Sequence, residues 1–109
     1  MIDITMVTCN RARISEISIR EIKKRTITPH RLIVLDNGSQ DNTPEMLKQL
    51  HGEGLIDALI LWPENTGIHW ARNMLLDVVE SEWFVSTDDD IVPPKFFEFD
   101  DGYDWLFYL

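Results

Sequence analysis

Cysteine is all but missing from this chain. Cys9 stands alone, so no internal disulfide can form, which suits a reducing compartment. The ordinary role for such a residue is a small buried apolar side chain at a strand end. Long apolar runs are missing too. The longest, Leu32 to Leu35, Ala58 to Trp62 and Trp105 to Leu109, are far too short to span a bilayer. Met1-Ile2-Asp3-Ile4-Thr5 has neither a basic flank nor a small-residue cleavage site, so the expectation is a cytoplasmic protein without a signal peptide. Basic residues are scarce. Ten Lys and Arg against nineteen Asp and Glu give a formal charge of −9, the wrong sign for a sequence-independent nucleic-acid binder. The three histidines, His30, His51 and His69, have no metal-ligand spacing, and there are no repeats or low-complexity segments.

What is present describes one globular domain: 109 residues, 44% of them apolar and 10% aromatic, enough for a single core and too apolar for disorder. The acidic excess has an ordinary reading, solubility. It also constrains ligands. At ~4 Å and an effective dielectric near 20, each carboxylate–phosphate pair costs roughly 4 kcal/mol. A phosphorylated ligand of this protein should therefore bring a cation.

Strand and helix patterns alternate along the chain. Ile2 to Thr8 is β-rich, and Arg13 to Arg25 sets Ile14, Ile17 and Ile22 among charges as a weak amphipathic helix. Leu32-Ile33-Val34-Leu35 reads as a strand covered on both faces, followed by the turn cluster Asp36-Asn37-Gly38-Ser39. Thr43, as cap, and Pro44 open a helix that runs to about Gln49 and stops near Gly52-Glu53-Gly54. A third strand, Ile56 to Trp62, leads through Pro63 to Gly67 into a helix marked by Ile68, Ala71, Leu75 and Val78 or Val79. The fourth strand, Trp83 to Ser86, delivers Asp88-Asp89-Asp90. This predicts a Rossmann-like, three-layer α/β/α domain with a mostly parallel sheet over residues 1–94. Residues 95–109 form an apolar tail that needs something to pack against, and the expectation is that it drives self-association or the docking of a partner.

Open α/β sheets bind ligands beyond the carboxyl ends of their strands. The segments there are Thr8-Cys9-Asn10-Arg11, Asp36-Asn37-Gly38-Ser39, Glu64-Asn65-Thr66-Gly67 and Thr87-Asp88-Asp89-Asp90. On extended backbone Asp88 and Asp90 share a face while Asp89 turns aside. Three adjacent carboxylates in a loop are ordinarily just solvated. Placed after a buried strand at the ligand edge, they suit Mg²⁺ or Mn²⁺, which take one or two carboxylates and complete their shell with phosphate and water. Asp36 to Ser39 is by itself a turn, but Asp36 leaves a buried strand where its carboxylate could accept from a base or ribose. Asn65-Thr66-Gly67 heads a helix whose free amides favour an anion, and Arg72 is close enough to share that edge or to be a solvated charge. His69 and Trp70 read as packing or surface residues.

Taken in order, these segments resemble family 2 glycosyltransferases of the GT-A fold. The resemblance rests on Thr8 to Arg11, Ile33 to Thr43, Glu64 to Gly67 with Ala71-Arg72-Asn73, and Asp88 to Asp90, and covers the chain to about Pro94. It implies a nucleotide-diphospho-sugar donor site, with a UDP-sugar as the default. Thr8 would lie against the nucleoside and Asp36 would bind the base. Asn10, Arg11, Asn65, Gly67 and Arg72 would line the nucleotide. Asp88-Asp89-Asp90 would be the D-x-D motif, with Asp90 and Asp88 holding Mn²⁺ or Mg²⁺ and an earlier aspartate of the motif, Asp88 or Asp89, on the ribose. The implied reaction is transfer of a hexose to an acceptor hydroxyl, ordinarily with inversion. Family members place the acceptor site and catalytic base in a second half. Only nineteen residues follow Asp90, so the expectation is a donor half whose base lies outside this chain, or else a non-catalytic nucleotide-binding or partner-dependent domain that lacks the acceptor half. Two rivals fit less well. Asp88 to Val92 matches the D-x-D-x-[TV] string of haloacid-dehalogenase-like phosphatases, but those carry it on the first strand. Receiver-like signalling domains carry acidic residues after the first strand, where Thr8-Cys9-Asn10-Arg11 stands here.

Overall fold

The computed structural model describes residues 1–93 and 105–108, and for 107 and 108 the backbone only. Four strands, β1 (Ile2–Thr8), β2 (His30–Asn37), β3 (Ala58–Trp62) and β4 (Trp83–Thr87), alternate with three helices, α1 (Ala12–Arg25), α2 (Thr43–Gly52) and α3 (Ile68–Leu76). A short 3-10 helix, Trp105–Tyr108, follows. All strand pairs are parallel, in the order β3-β2-β1-β4. The α/β architecture expected from the alternation is the one observed.

The sheet is covered on both faces because its central strands alternate two apolar sets. Ile4, Met6, Leu32 and Val34 pack with Ile19 and Ile22 of α1 and Leu47 and Leu50 of α2. Ile33 and Leu35 pack on the other face against Ala71 and Leu75 of α3. Burying a side chain of this size contributes roughly 1.5–3 kcal/mol, so this double-faced core dominates the stability. Trp105 and Leu106 of the apolar tail join the first of these cores. The Trp105 indole also donates to Thr26 Oγ1 at 2.7 Å. The rest of the tail's apolar side chains lie outside the described residues.

Several boundaries differ from the sequence expectation, each for a local reason. Asn42, not Thr43, is the N-cap of α2. Thr43 is the first helical residue, its amide and hydroxyl both donating to the Asp41 carboxylate. Helix α3 stops at Leu76, short of Val78, as the Asp77 and Val78 amides close tight turns back to Met74 and Leu75. The chain is then drawn to Asp3, which accepts from the amides of Glu80 and Ser81. Strand β3 begins at Ala58 because the Asp57 carboxylate accepts the Leu32 amide and the Lys23 ammonium there. The largest departure is in α1. Ser15 and Ser18 are buried, whereas Ile14 and Ile17 are 46% and 47% exposed.

Candidate functional site

The strand order reverses between β1 and β4, and that switch point is where an open α/β sheet forms its ligand crevice. Thr8 ends β1 and Asp88 to Asp90 follow β4, so the acidic triplet sits at the switch point. The Thr8 hydroxyl donates to Asp89 Oδ2 at 2.9 Å, and Arg11 Nη1 donates to Asp89 Oδ1 at 3.1 Å. Both carboxylate oxygens of Asp89 are therefore held by the protein, and its side chain is only 12% exposed. Asp88 and Asp90 point the other way, 69% and 57% exposed. Asp89 is the inward member of the triplet, although β4 ends at Thr87 and Asp89 and Asp90 lie in a turn rather than on extended backbone.

Two arginines balance this acid. Arg11 lies 3.8 Å from Asp90, and Arg72 Nη2 lies 3.4 Å from Asp88 Oδ1. Arg72 projects from α3 toward the β4 side, which brings two of the predicted residues from opposite ends of the site together. Both pairs are exposed and long, so each contributes little to stability and leaves its carboxylate open to a competing cation.

The loops after β1 and β2 are sewn into one rim. Asn10 adopts φ +54, a conformation Asn tolerates better than most residues. Its amide donates to Ser39 Oγ at 2.8 Å, and its side-chain oxygen accepts from the Gln40 amide at 2.7 Å. Ser39 in turn donates its amide and hydroxyl to the buried Asp36 carboxylate. Asp36 stands level with Thr8 in the β1–β2 register.

Asn37 joins this rim to the loop after β3. It donates to Asn65 Oδ1 and to the Gly67 carbonyl, and accepts from the amide and hydroxyl of Thr66. Asn65 Oδ1 also accepts the Gly67 amide, and Gly67 at φ +89 turns the chain into α3. Gly38 lies beneath. A Cβ there would come within 2.4 Å of the Asn65 nitrogen, and its φ is +75. Asn37-Gly38, which in sequence reads as a turn, is thus also the contact between two site loops.

The predicted residues Thr8, Asn10, Arg11, Asp36, Asn65, Gly67, Arg72, Asp88, Asp89 and Asp90 all lie along the carboxyl edge of the sheet. Three more residues organise that edge without having stood out in sequence. Ser39 and Asn37 were within recognised turn segments, where a side chain bridging two loops looks like any turn residue. Ser15, buried beneath Thr8 and hydrogen-bonded to it, gave no signal at all.

The glycosyl transferase family 2 model matches residues 3–98. A mannosyltransferase from Pyrobaculum calidifontis, solved with GDP-Man and Mn²⁺, is similar in structure, with a TM-score of 0.75 and 26% identity over 85% of this chain and 28% of that one. Residues 1–349 of TarS from S. aureus, solved with UDP-GlcNAc, superpose with a TM-score of 0.75 and 18% identity over 91% of this chain and 29% of that one, a likeness of fold. The chain thus spans less than a third of the length of either structure. No curated protein sequence gives a significant match.

Proposed function

Since the chain belongs to glycosyl transferase family 2, we propose that residues 1–94 bind the nucleotide-diphospho-sugar donor of a glycosyltransferase, with a divalent cation. The observation that carries this reading is the Thr8–Asp89 contact across the switch point, which sets Asp88 and Asp90 outward beside two arginines. The mannosyltransferase solved with GDP-Man and Mn²⁺ supports the ligand class and sets GDP beside UDP, the default nucleotide, as a candidate.

The donor set fits Mn²⁺ or Mg²⁺. Asp88 and Asp90 offer hard oxygens on one exposed face, and such a cation needs only one or two carboxylates when phosphate completes its shell. Among the described residues, no three His, Cys, Asp or Glu converge as a protein-only metal cage. Bound at Asp90 with Asp88 beside it, the cation would neutralise charge on the departing nucleoside diphosphate.

The chain's own groups would do the rest. Asp36, its oxygens fixed by Ser39, would accept from the base. Asn10, Asn65 and Gly67 would shape the nucleotide rim, where the first amides of α3 favour an anion. Arg72 would leave Asp88 for the diphosphate, freeing Asp88 for the ribose or cation. Asp89 would contribute chiefly by holding the triplet in place through Thr8 and Arg11. The acceptor hydroxyl, the base that takes its proton and the inversion of the anomeric carbon belong to a second half that we place outside residues 1–94. Among the described residues, no helix is long and apolar enough to cross a membrane.

Calorimetric titration of GDP and of UDP with and without Mn²⁺ tests the reading. Binding of either that requires the cation, and that Asp90→Asn abolishes in a folded protein, is the expected result. Binding indifferent to Mn²⁺ and to Asp90→Asn would remove the metal role.

A further inference from the structure

Helix α1 buries polar side chains alongside its core isoleucines Ile19 and Ile22. Ser15 and Ser18 of the helix and Thr26, its extended C-cap, are 0%, 1% and 7% exposed, and Ser15, Ser18 and Arg25 fall on one side of the helix. The chain leaving the acidic triplet runs along that side. Ser18 donates its hydroxyl to the Ile91 carbonyl, and Arg25 Nη1 donates to the Pro93 carbonyl at 2.7 Å. At the head of that side, Ser15 and Thr8 share a hydrogen bond between hydroxyls.

The direction of that bond follows from counting hydrogens. Thr8 has one hydroxyl hydrogen, and the Asp89 carboxylate at 2.9 Å can only accept it. Ser15 must then be the donor to Thr8. The order Ser15 to Thr8 to Asp89 is a relay in which each hydroxyl is fixed by the next, with Arg11 closing the far oxygen of Asp89. Such a buried chain holds one arrangement well when complete and poorly when a member is lost.

We propose that Ser15 is a positioning residue of the donor site: its buried hydroxyl donates to Thr8, which commits the Thr8 hydrogen to Asp89 and so presents Asp88 and Asp90 outward. The proposal rests on the donor reading for its consequence in binding, though not for its consequence in the free protein. Ser15 touches no ligand in this account. It acts through Thr8.

The test compares the full chain with Ser15→Ala, Ser15→Cys and Thr26→Val. The last removes a buried hydroxyl from the C-cap of the same helix, far from the triplet. In the ligand-free protein, ¹⁵N relaxation should show order parameters at residues 88–91 falling in Ser15→Ala from the rigid range near ~0.85 toward ~0.6, with no such change in Thr26→Val. Affinity for GDP or UDP with Mn²⁺ should fall on the order of tenfold in Ser15→Ala. Ser15→Cys, close in size and still a weak donor, should recover part of it. If Ser15→Ala does not fold, Ser15→Cys, the weaker donor, should show the same fall at 88–91 to a smaller degree, again without a counterpart in Thr26→Val. Order parameters at 88–91 that match the parent protein, or that fall equally in Thr26→Val, overturn the positioning role. If the parent chain binds neither nucleotide, the donor reading falls, and the relaxation comparison still decides the role of Ser15.

Discussion

Gly38 and Asn65 meet backbone to backbone. A Cβ on Gly38 would stand 2.4 Å from the Asn65 nitrogen and 2.4 Å from the Glu64 carbonyl carbon, atoms that cannot swing aside as a side chain could. The φ of +75 at Gly38 adds a second reason for glycine. The loop after β2 and the loop after β3 can close on one another only because this position is bare. Gly38→Ala should therefore destabilise by roughly 3 kcal/mol or more, the range of a strained φ combined with overpacking. Chemical denaturation measures it, and a loss below ~1 kcal/mol would mean the two loops can part freely.

Asp3 anchors the opposite, amino edge of the sheet. It is fully buried and accepts from Arg31 at 3.0 and 3.2 Å, from the Glu80 and Ser81 amides and from the Ser81 hydroxyl. Burial pushes its carboxyl up, but Arg31 and the three other bonds outweigh that and hold it well below the usual carboxylate range. A carboxyl depressed on folding stabilises the protein above its unfolded value near ~4 and loses that contribution as pH falls through the folded value. Asp57, opposed by burial but held down by Lys23 and the Leu32 amide, works in the same direction. Stability should thus be level from neutral pH to about 4 and decline below it. Asp3→Asn should cost roughly 3 kcal/mol at neutral pH, as expected for breaking a buried pair, and should flatten the acid decline. Urea midpoints from pH 7 to pH 3 report both; an unchanged acid slope in the variant would assign the decline to other groups.

Arg72 separates folding from binding. Its 3.4 Å contact with Asp88 is exposed on both sides, and such pairs contribute ~0–1 kcal/mol. Arg72→Ala should leave the unfolding midpoint nearly unchanged while weakening nucleotide diphosphate binding about tenfold or more, as for a lost charge-assisted contact to phosphate. Equal affinity in the variant would make Arg72 a solvated surface charge.

Much of this was legible in the residues. The run Leu32 to Leu35 announced a strand covered on both faces, and the two apolar sets around Ile33 and Val34 are that cover. Four polar segments after four strands located the edge, because parallel strands bring their carboxyl ends together. The inward placing of Asp89 between Asp88 and Asp90 matches the alternation expected of extended backbone, but a turn after Thr87 produces it. The inward partners of Asp89 were not, since Thr8 lies 81 residues away in sequence. Helix α1 misled. Of the isoleucines that periodicity assigns to the core, Ile22 is buried there, yet Ile14 and Ile17 are exposed while Ser18 and Arg25 on the inner side satisfy the carbonyls of Ile91 and Pro93. A polar stripe becomes core only when a distant segment supplies its partners, and no local pattern carries that. Gly38 hid for a similar reason, its turn chemistry masking a contact made by another loop.

Asp88 and Asp90, on this reading, hold a divalent cation that arrives with a nucleoside diphosphate. The most direct test is to saturate the ¹⁵N-labelled chain with GDP and Mg²⁺, then replace the metal stepwise with Mn²⁺ and map the paramagnetic loss of amide signals. Broadening should centre on residues 87–91 and reach Thr8 and the head of α3, with Asp3, Glu80 and Ser81 at the far edge unaffected. Broadening centred elsewhere, or present equally without nucleotide and in Asp90→Asn, would contradict it.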